Sequence, residues 1–210
     1  MISNSPLKLD HIAISARTLE EGAAYVRNHL GVDVPAGGQH AAMGTHNLLM
    51  ALGSDIFLEV IAVNPDAAPI DRPRWFNLDN FDGPPRIGTW VLNSPDLIAS
   101  FKTFPISLGS AVPITRGSLS WLMAVTNTGK MPFEGMFPTL MQWPDGPHPA
   151  SQMTDLGCRL VGLTITHPKA IEIQALLDGH VDMMDIHFNQ NDDFSIRAEI
   201  QTPTGVKVIS

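Results

Sequence analysis

"GGQHAAMGTHNLLMALGSDIFLEVIAV" runs from Gly37 to Val63. Its second half is apolar except for Glu59, which shares one face of a strand pattern with Phe57 and Ile61. A carboxylate taken out of water costs on the order of several kcal/mol unless it is paired, hydrogen-bonded or bound to metal. The stretch therefore calls for a partner, and the residues upstream offer one. "LKLDHIAISA" alternates, with His11, Ala13 and Ser15 on one face and Ile12, Ile14 and Ala16 on the other, so it reads as a strand. Imidazole and carboxylate together are common ligands of divalent metals. The alternative is a hydrogen bond between His11 and Glu59 across the sheet, with no further role.

Between these strands, Thr18 and Glu21 form a capping box. Leu19, Ala23, Val26 and Leu30 fall on one helical face, and Gly31 marks the stop. Strands are predicted around His40 to Met43, at "HNLLMAL" and at "DIFLEVIAV", with "LGSD" as a hairpin turn. Residues 1–64 thus form a β-α-β-β-β unit. Pro65, Pro69, Pro73, Pro84 and Pro85 make 65–85 an irregular linker. The pattern then restarts. "TWVLNSPDLIASFKTFPISLG" overlays "HIAISARTLEEGAAYVRNHLG" without a gap, setting Thr89 on His11, Trp90 on Ile12 and Gly109 on Gly31. Ser94–Pro95 is read as the helix start, and strands follow near Val112 to Arg116, at "LSWLMAVTN" and at "FPTLMQW". Residues 86–150 are a second unit, and 151–210 a degenerate third. Repetition at this spacing, with mixed elements, indicates modules rather than a solenoid.

Composition narrows the class. The chain has 210 residues, 44% hydrophobic, and a net charge of −8. It shows no basic stripe, which argues against nucleic acid and anionic membranes as partners. No apolar run reaches the ~18 residues of a membrane span, and the opening residues lack the basic and apolar regions of a secretory signal. A single cysteine, Cys158, fits a reducing, cytoplasmic setting. A small-molecule ligand is the expected partner, and a homodimer is compatible.

Several segments carry a resemblance: "LDHIAIS", the stretch from Gly37 to Ala62, "RPRWFNLD", "MQWPDGPHPA" and "GCRLVGLTITHP". With His on the first strand and Glu on the fourth, the chain resembles the vicinal oxygen chelate superfamily. That is the group of glyoxalase I, extradiol dioxygenases and the fosfomycin- and bleomycin-resistance proteins. More narrowly it resembles the glyoxalase-like domain subfamily. The resemblance implies an α+β fold of repeated βαβββ modules, their curved mixed sheets arranged around a cleft, with a third degenerate module. It implies that first- and fourth-strand side chains point into that cleft. His11 and Glu59 would then ligate a divalent ion (Zn, Ni, Mn or Fe).

By position, Thr89 and Gly162 match His11 in the later units, and Gln142 and Lys207 match Glu59; Gln142 is the expected further ligand, with His40 and His148 as alternatives. Glu59 and His40 are the candidate proton-transfer residues. Thr45, Asn47, Arg74, Trp75, Thr89, Trp143 and His148 are the candidate substrate contacts. Each has a plainer reading: turn chemistry for Thr45 and Asn47, loop anchoring for Arg74 and Trp75, core packing for Trp143, half-exposure in a rigid loop for His148. The methionines concentrated in the second unit, Met123, Met131, Met136 and Met141, suit either core filling or an adaptable apolar pocket. The functional expectation is a metal-dependent lyase, isomerase or dioxygenase acting on a small oxygen-chelating substrate. The alternative is a metal-free binding protein of the bleomycin-resistance type.

Overall fold

The alternation around Glu59 and His11 is satisfied by one strongly curved sheet. A computed structural model describes residues 6–210; the first residues of the segment tested for a secretory signal lie outside the described residues. The first unit comprises β1 (Lys8–Ser15), α1 (Leu19–Leu30), β2 (Ala36–His40), β3 (Thr45–Ala51) and β4 (Phe57–Val63). The second comprises β5 (Arg86–Asn93), α2 (Leu97–Ser100), β6 (Ser110–Arg116), β7 (Leu119–Val125) and β8 (Thr139–Gln142). Their strands join in an eight-stranded sheet of order β2-β3-β4-β1-β5-β8-β7-β6.

The junction of the two units follows the gapless overlay. β1 and β5 are antiparallel, with Ile12 opposite Trp90. His11 faces Val91 and Ala13 faces Thr89; Leu9 faces Leu92 and Ile14 faces Ile87. These are the pairings of a two-fold rotation that sets Thr89 on His11 and leaves the Ile12–Trp90 pair on its axis. Both residues of that pair are fully buried, and the Trp90 indole donates to the Met136 carbonyl at 2.9 Å.

Two local expectations shift. The strand looked for at His40 to Met43 lies earlier, at Ala36–His40, and Ala41–Met43 is a 3-10 turn. In the second unit the helix is capped by Asp96 rather than Ser94 and has only four residues. Pro105 removes a backbone donor and restricts Phe104 before it, so the segment cannot repeat the full length of α1.

The sheet has two faces with different duties. Its outer face presents Ile12, Ile14, Leu58, Val60, Trp90 and Leu92 to one large core, shared with α1 and with the third segment. That segment contributes β9 (Arg159–His167), α3 (Ala170–Leu177), β10 (Ile186–Gln190), β11 (Ser195–Thr202) and β12 (Gly205–Ile209). It keeps the β-α-β-β-β order, but its strands line up as β10-β9-β11-β12 in a separate sheet. The concave face carries a second core of Ala13, Met43, Ile61, Val91, Met123 and Met141, closed by Trp75, Phe76 and Leu78 from the proline-rich linker. Edge strands β2 and β6 curl back toward each other, so closely that a Cβ on Gly38 would lie 2.7 Å from the Arg116 side chain.

Because the Ile12–Trp90 pair joins the two halves, Trp90→Ala is expected to destabilise the protein by about 3–5 kcal/mol in urea unfolding, with Trp90→Phe losing clearly less. A loss below about 1 kcal/mol for Trp90→Ala would be incompatible with this junction as the core of the fold.

Candidate active site

His11 and Glu59 reach the same cavity. Both leave the concave face of adjacent, parallel strands β1 and β4, and His11 Nε2 lies 3.6 Å from Glu59 Oε2. They are 3% and 5% exposed. The cavity between them is small, about 20 Å³, room for roughly one water molecule. His40, Asn47, Phe57, Trp75, Arg116 and Trp143 also line it, and the Phe57 ring stacks under His11 with centroids 4.4 Å apart.

The amide of Asn47 answers the buried carboxylate. Its Nδ2 donates to Glu59 Oε1 at 2.6 Å and approaches His40 Nε2 at 3.4 Å. Its Oδ1 accepts from Gly38 N at 2.8 Å and from Arg116 Nη1 at 3.1 Å. Both donors and both lone pairs of the amide are thus engaged. The double glycine at the start of the quoted stretch makes this possible. A Cβ on Gly37 would sit 2.2 Å from Asn47 Oδ1, and Gly38 gives Arg116 its path.

His40 is a fixed, neutral partner. Its Nε2 faces a donor, so Nδ1 carries the proton and donates to Thr45 Oγ1 at 3.0 Å. Burial, reinforced by the nearby Arg116 charge, drives its pKa down to about 3. In this neutral form it is placed to orient Asn47. Thr45 stands behind His40, outside the cavity lining.

Asp10, unforeseen in the sequence, holds the other end of His11. The carboxylate is fully buried and accepts from His11 Nδ1 at 2.7 Å, Trp143 Nε1 at 2.8 Å and His148 Nε2 at 2.9 Å. The backbone N–H of Ala150 donates to His148 Nδ1, so His148 presents Nε2–H to Asp10. Burial pushes the Asp10 carboxyl upward, but the hydrogen bonds from His11 and His148 outweigh it and hold the pKa below the ordinary value. With Nδ1–H bound to Asp10, His11 turns Nε2 into the cavity. Simple alternation hides Asp10, because neighbours on a strand point to opposite faces. The β1–β5 register shifts between Leu9 and His11, and this bulge brings the two side chains together.

Other expected residues fall elsewhere. Gln142 is no ligand: its Oε1 accepts from Leu97 N at 2.9 Å, capping α2 on the outer face. The true counterpart of Glu59 is Thr139, since Val91 pairs with Thr139 as Ala13 pairs with Glu59. Gln142 lies three residues on, and an odd shift along a strand changes face. Thr89 does match His11, but its hydroxyl turns to the Trp90 carbonyl at 3.3 Å. Arg74 braces the linker, bonding Asp79 at 2.6 Å, and does not line the cavity. Trp75 does line it; its Nε1 is buried without a partner among the described residues. Trp143 forms wall and buttress together, and His148 is a buttress.

The same register pairs Met123 with Met141 where the first half pairs Asn47 with Ile61, and Ile114 with Trp121 where it pairs His40 with Thr45. One half of the cavity is therefore polar and the other apolar. Arg116 is the exception, a cation from β6 that no strand pattern flagged. These donors do not fit a divalent metal. Among the described residues no three His, Cys, Asp or Glu side chains converge for one. Asn47 occupies one oxygen of Glu59, the second half offers threonines, and a guanidinium faces the same space and would repel a cation.

The curved sheet, the two-fold repeat and the His–Glu pair define the vicinal oxygen chelate fold. The profile of the glyoxalase-like domain matches residues 9–181, and the chain belongs to that family. A hypothetical protein from Staphylococcus aureus shares the fold with a TM-score of 0.61 and 13% identity, over 92% of this chain and 81% of that one. A mutant of 4-hydroxymandelate synthase from Streptomyces coelicolor matches with a TM-score of 0.53 and 13% identity, over 95% of this chain and 60% of that one. Methylmalonyl-CoA epimerase from Mycobacterium tuberculosis is more distant, with a TM-score of 0.42 and 17% identity, over 70% and 94% of the two chains. No curated protein matches. Among the described residues no helix is long and apolar enough to cross a membrane.

The histidine burial has a pH signature. In the unfolded chain His40 binds a proton below about pH 6.5; in the folded protein it does so only near 3. The unfolded state therefore binds more protons in this window, and stability falls as pH drops through it, by up to about 1.4 kcal/mol per pH unit. Urea unfolding between pH 7 and 4.5 is expected to show this slope, reduced in His40→Gln. An unchanged slope in that variant would mean His40 is not held neutral.

Proposed function

We propose that this protein is a proton-transfer enzyme, acting at a carbon beside a carbonyl or carboxyl group. The observation that carries the reading is the placement of Glu59 Oε2 and His11 Nε2, 3.6 Å apart, on one buried cavity with His11 braced by Asp10. Glu59, held in place by the Asn47 amide, takes the proton from the substrate carbon. The electron pair of the broken C–H bond moves onto the substrate oxygen, where the Arg116 guanidinium offsets the charge. The proton can pass to His11 Nε2, giving an imidazolium stabilised by Asp10, and return to the product at the same or a neighbouring atom. An isomerase or epimerase balances without any added oxidant.

A metal-dependent lyase or dioxygenase would require ligands that Gln142, Thr89 and Thr139 do not provide. Metal-free binding without turnover is the second reading, favoured by the apolar wall of Trp121, Met123, Met141 and Trp143. The single buried cysteine suits a cytoplasmic setting.

Hydrogen–deuterium exchange of acidic C–H groups, followed by NMR over a panel of 2-oxo acids, diketones and acyl thioesters, tests the proposal. Catalysed exchange should survive a chelator and fall at least about 100-fold in Glu59→Gln. Binding of panel compounds with no exchange would favour the binding reading. Exchange that appears only on adding a divalent ion would overturn the metal-free mechanism.

A further inference from the structure

Beside the small cavity lies an open groove of about 600 Å³, within the range of small-molecule sites. Its walls include Pro35, Leu49, Leu119, Pro147 and Met153. Two residues line both spaces: Arg116 and Trp143. The groove and the cavity therefore adjoin at these two side chains, one of them a guanidinium.

Arg116 is placed to receive an anion. Only one of its N–H groups has a protein acceptor among the described residues, Asn47 Oδ1 at 3.1 Å. It forms no salt bridge among the described residues, and its guanidinium stands 6.0 Å from the centre of the Trp121 ring. Gly38 is shaped around its stem. A part-buried guanidinium with open N–H donors matches a carboxylate in charge and planar geometry. The acid lining the groove, Asp145, is exposed and lies in the loop after β8.

We infer that the ligand is an amphipathic carboxylate: its carboxylate rests on Arg116, its apolar chain or ring lies along the groove, and the carbon next to the carboxylate faces Glu59 and His11. The inference rests on the proton-transfer reading for that last orientation. The binding part stands without it, so the two can fail separately.

The test is binding to the purified full chain by calorimetry, with three probes of one shape: 3-phenylpropanoate, 3-phenylpropanol and 3-phenylpropylamine. The carboxylate should bind at least about tenfold more tightly than the alcohol, and the amine most weakly. Arg116→Gln should bring acid and alcohol within about twofold, and Arg116→Lys should keep part of the preference. Glu59→Gln should keep or increase the preference while abolishing C–H exchange. The indole N–H resonances of Trp143 and Trp121 should shift on binding, and that of Trp90 should not. Equal binding of acid and alcohol by the wild type would overturn the inference. So would a preference that survives in Arg116→Gln, or one lost instead in Arg86→Gln, whose side chain lines a separate cleft.

Discussion

A carboxylate inside an apolar sheet is tolerable only when donors meet it, and here the donor is one amide. Asn47 bonds Glu59 with its nitrogen and takes Arg116 and Gly38 on its oxygen. The amide cannot be reversed without losing these contacts, because an ionised carboxylate only accepts and a guanidinium only donates. Around that orientation the rest of the site falls into place. His40 meets the second Asn47 N–H and stays neutral, Thr45 takes the His40 proton, and two adjacent glycines clear space for the amide and the guanidinium.

Duplication explains the shape of the site, and divergence explains its chemistry. The β1–β5 register is symmetric, so each polar position of the first half has a counterpart in the second. Those counterparts are Thr89, Thr139, Met123, Trp121 and Ile114; the last three are apolar, and the Thr89 hydroxyl turns to the Trp90 carbonyl. One half holds charge in fixed geometry and the other supplies hydrophobic surface. Arg116 crosses this division from an edge strand that meets β2, so the curl of the sheet itself brings the cation to the acid.

The sequence patterns that survived best were those with strict periodicity. Alternation marked the strands that carry His11 and Glu59, the family resemblance set both side chains toward one cleft, and the gapless overlay revealed the second unit. What failed depended on single-residue irregularities. The bulge at Asp10 turns a side chain that alternation would send to the outer face. A three-residue slip in matching the fourth strand made Gln142 look like a ligand when Thr139 holds that place. Arg116 precedes a Gly-Ser turn and reads locally as a hairpin end; only the closing curvature, a long-range property, gives it meaning. The third segment repeats the order of elements, but strand order within its sheet is a matter of tertiary packing that the pattern of residues does not encode.

The site depends on His11 being gripped by Asp10 at Nδ1 and turning Nε2 into the cavity beside Glu59. Long-range proton–nitrogen NMR spectra of histidine-labelled protein report which ring nitrogen carries the proton. The expected result is a His11 resonance with Nδ1 protonated, whose Nε2 shift moves in Glu59→Gln and whose Nδ1 shift moves in Asp10→Asn. A His11 ring with a bare Nδ1, or one indifferent to both substitutions, would contradict it.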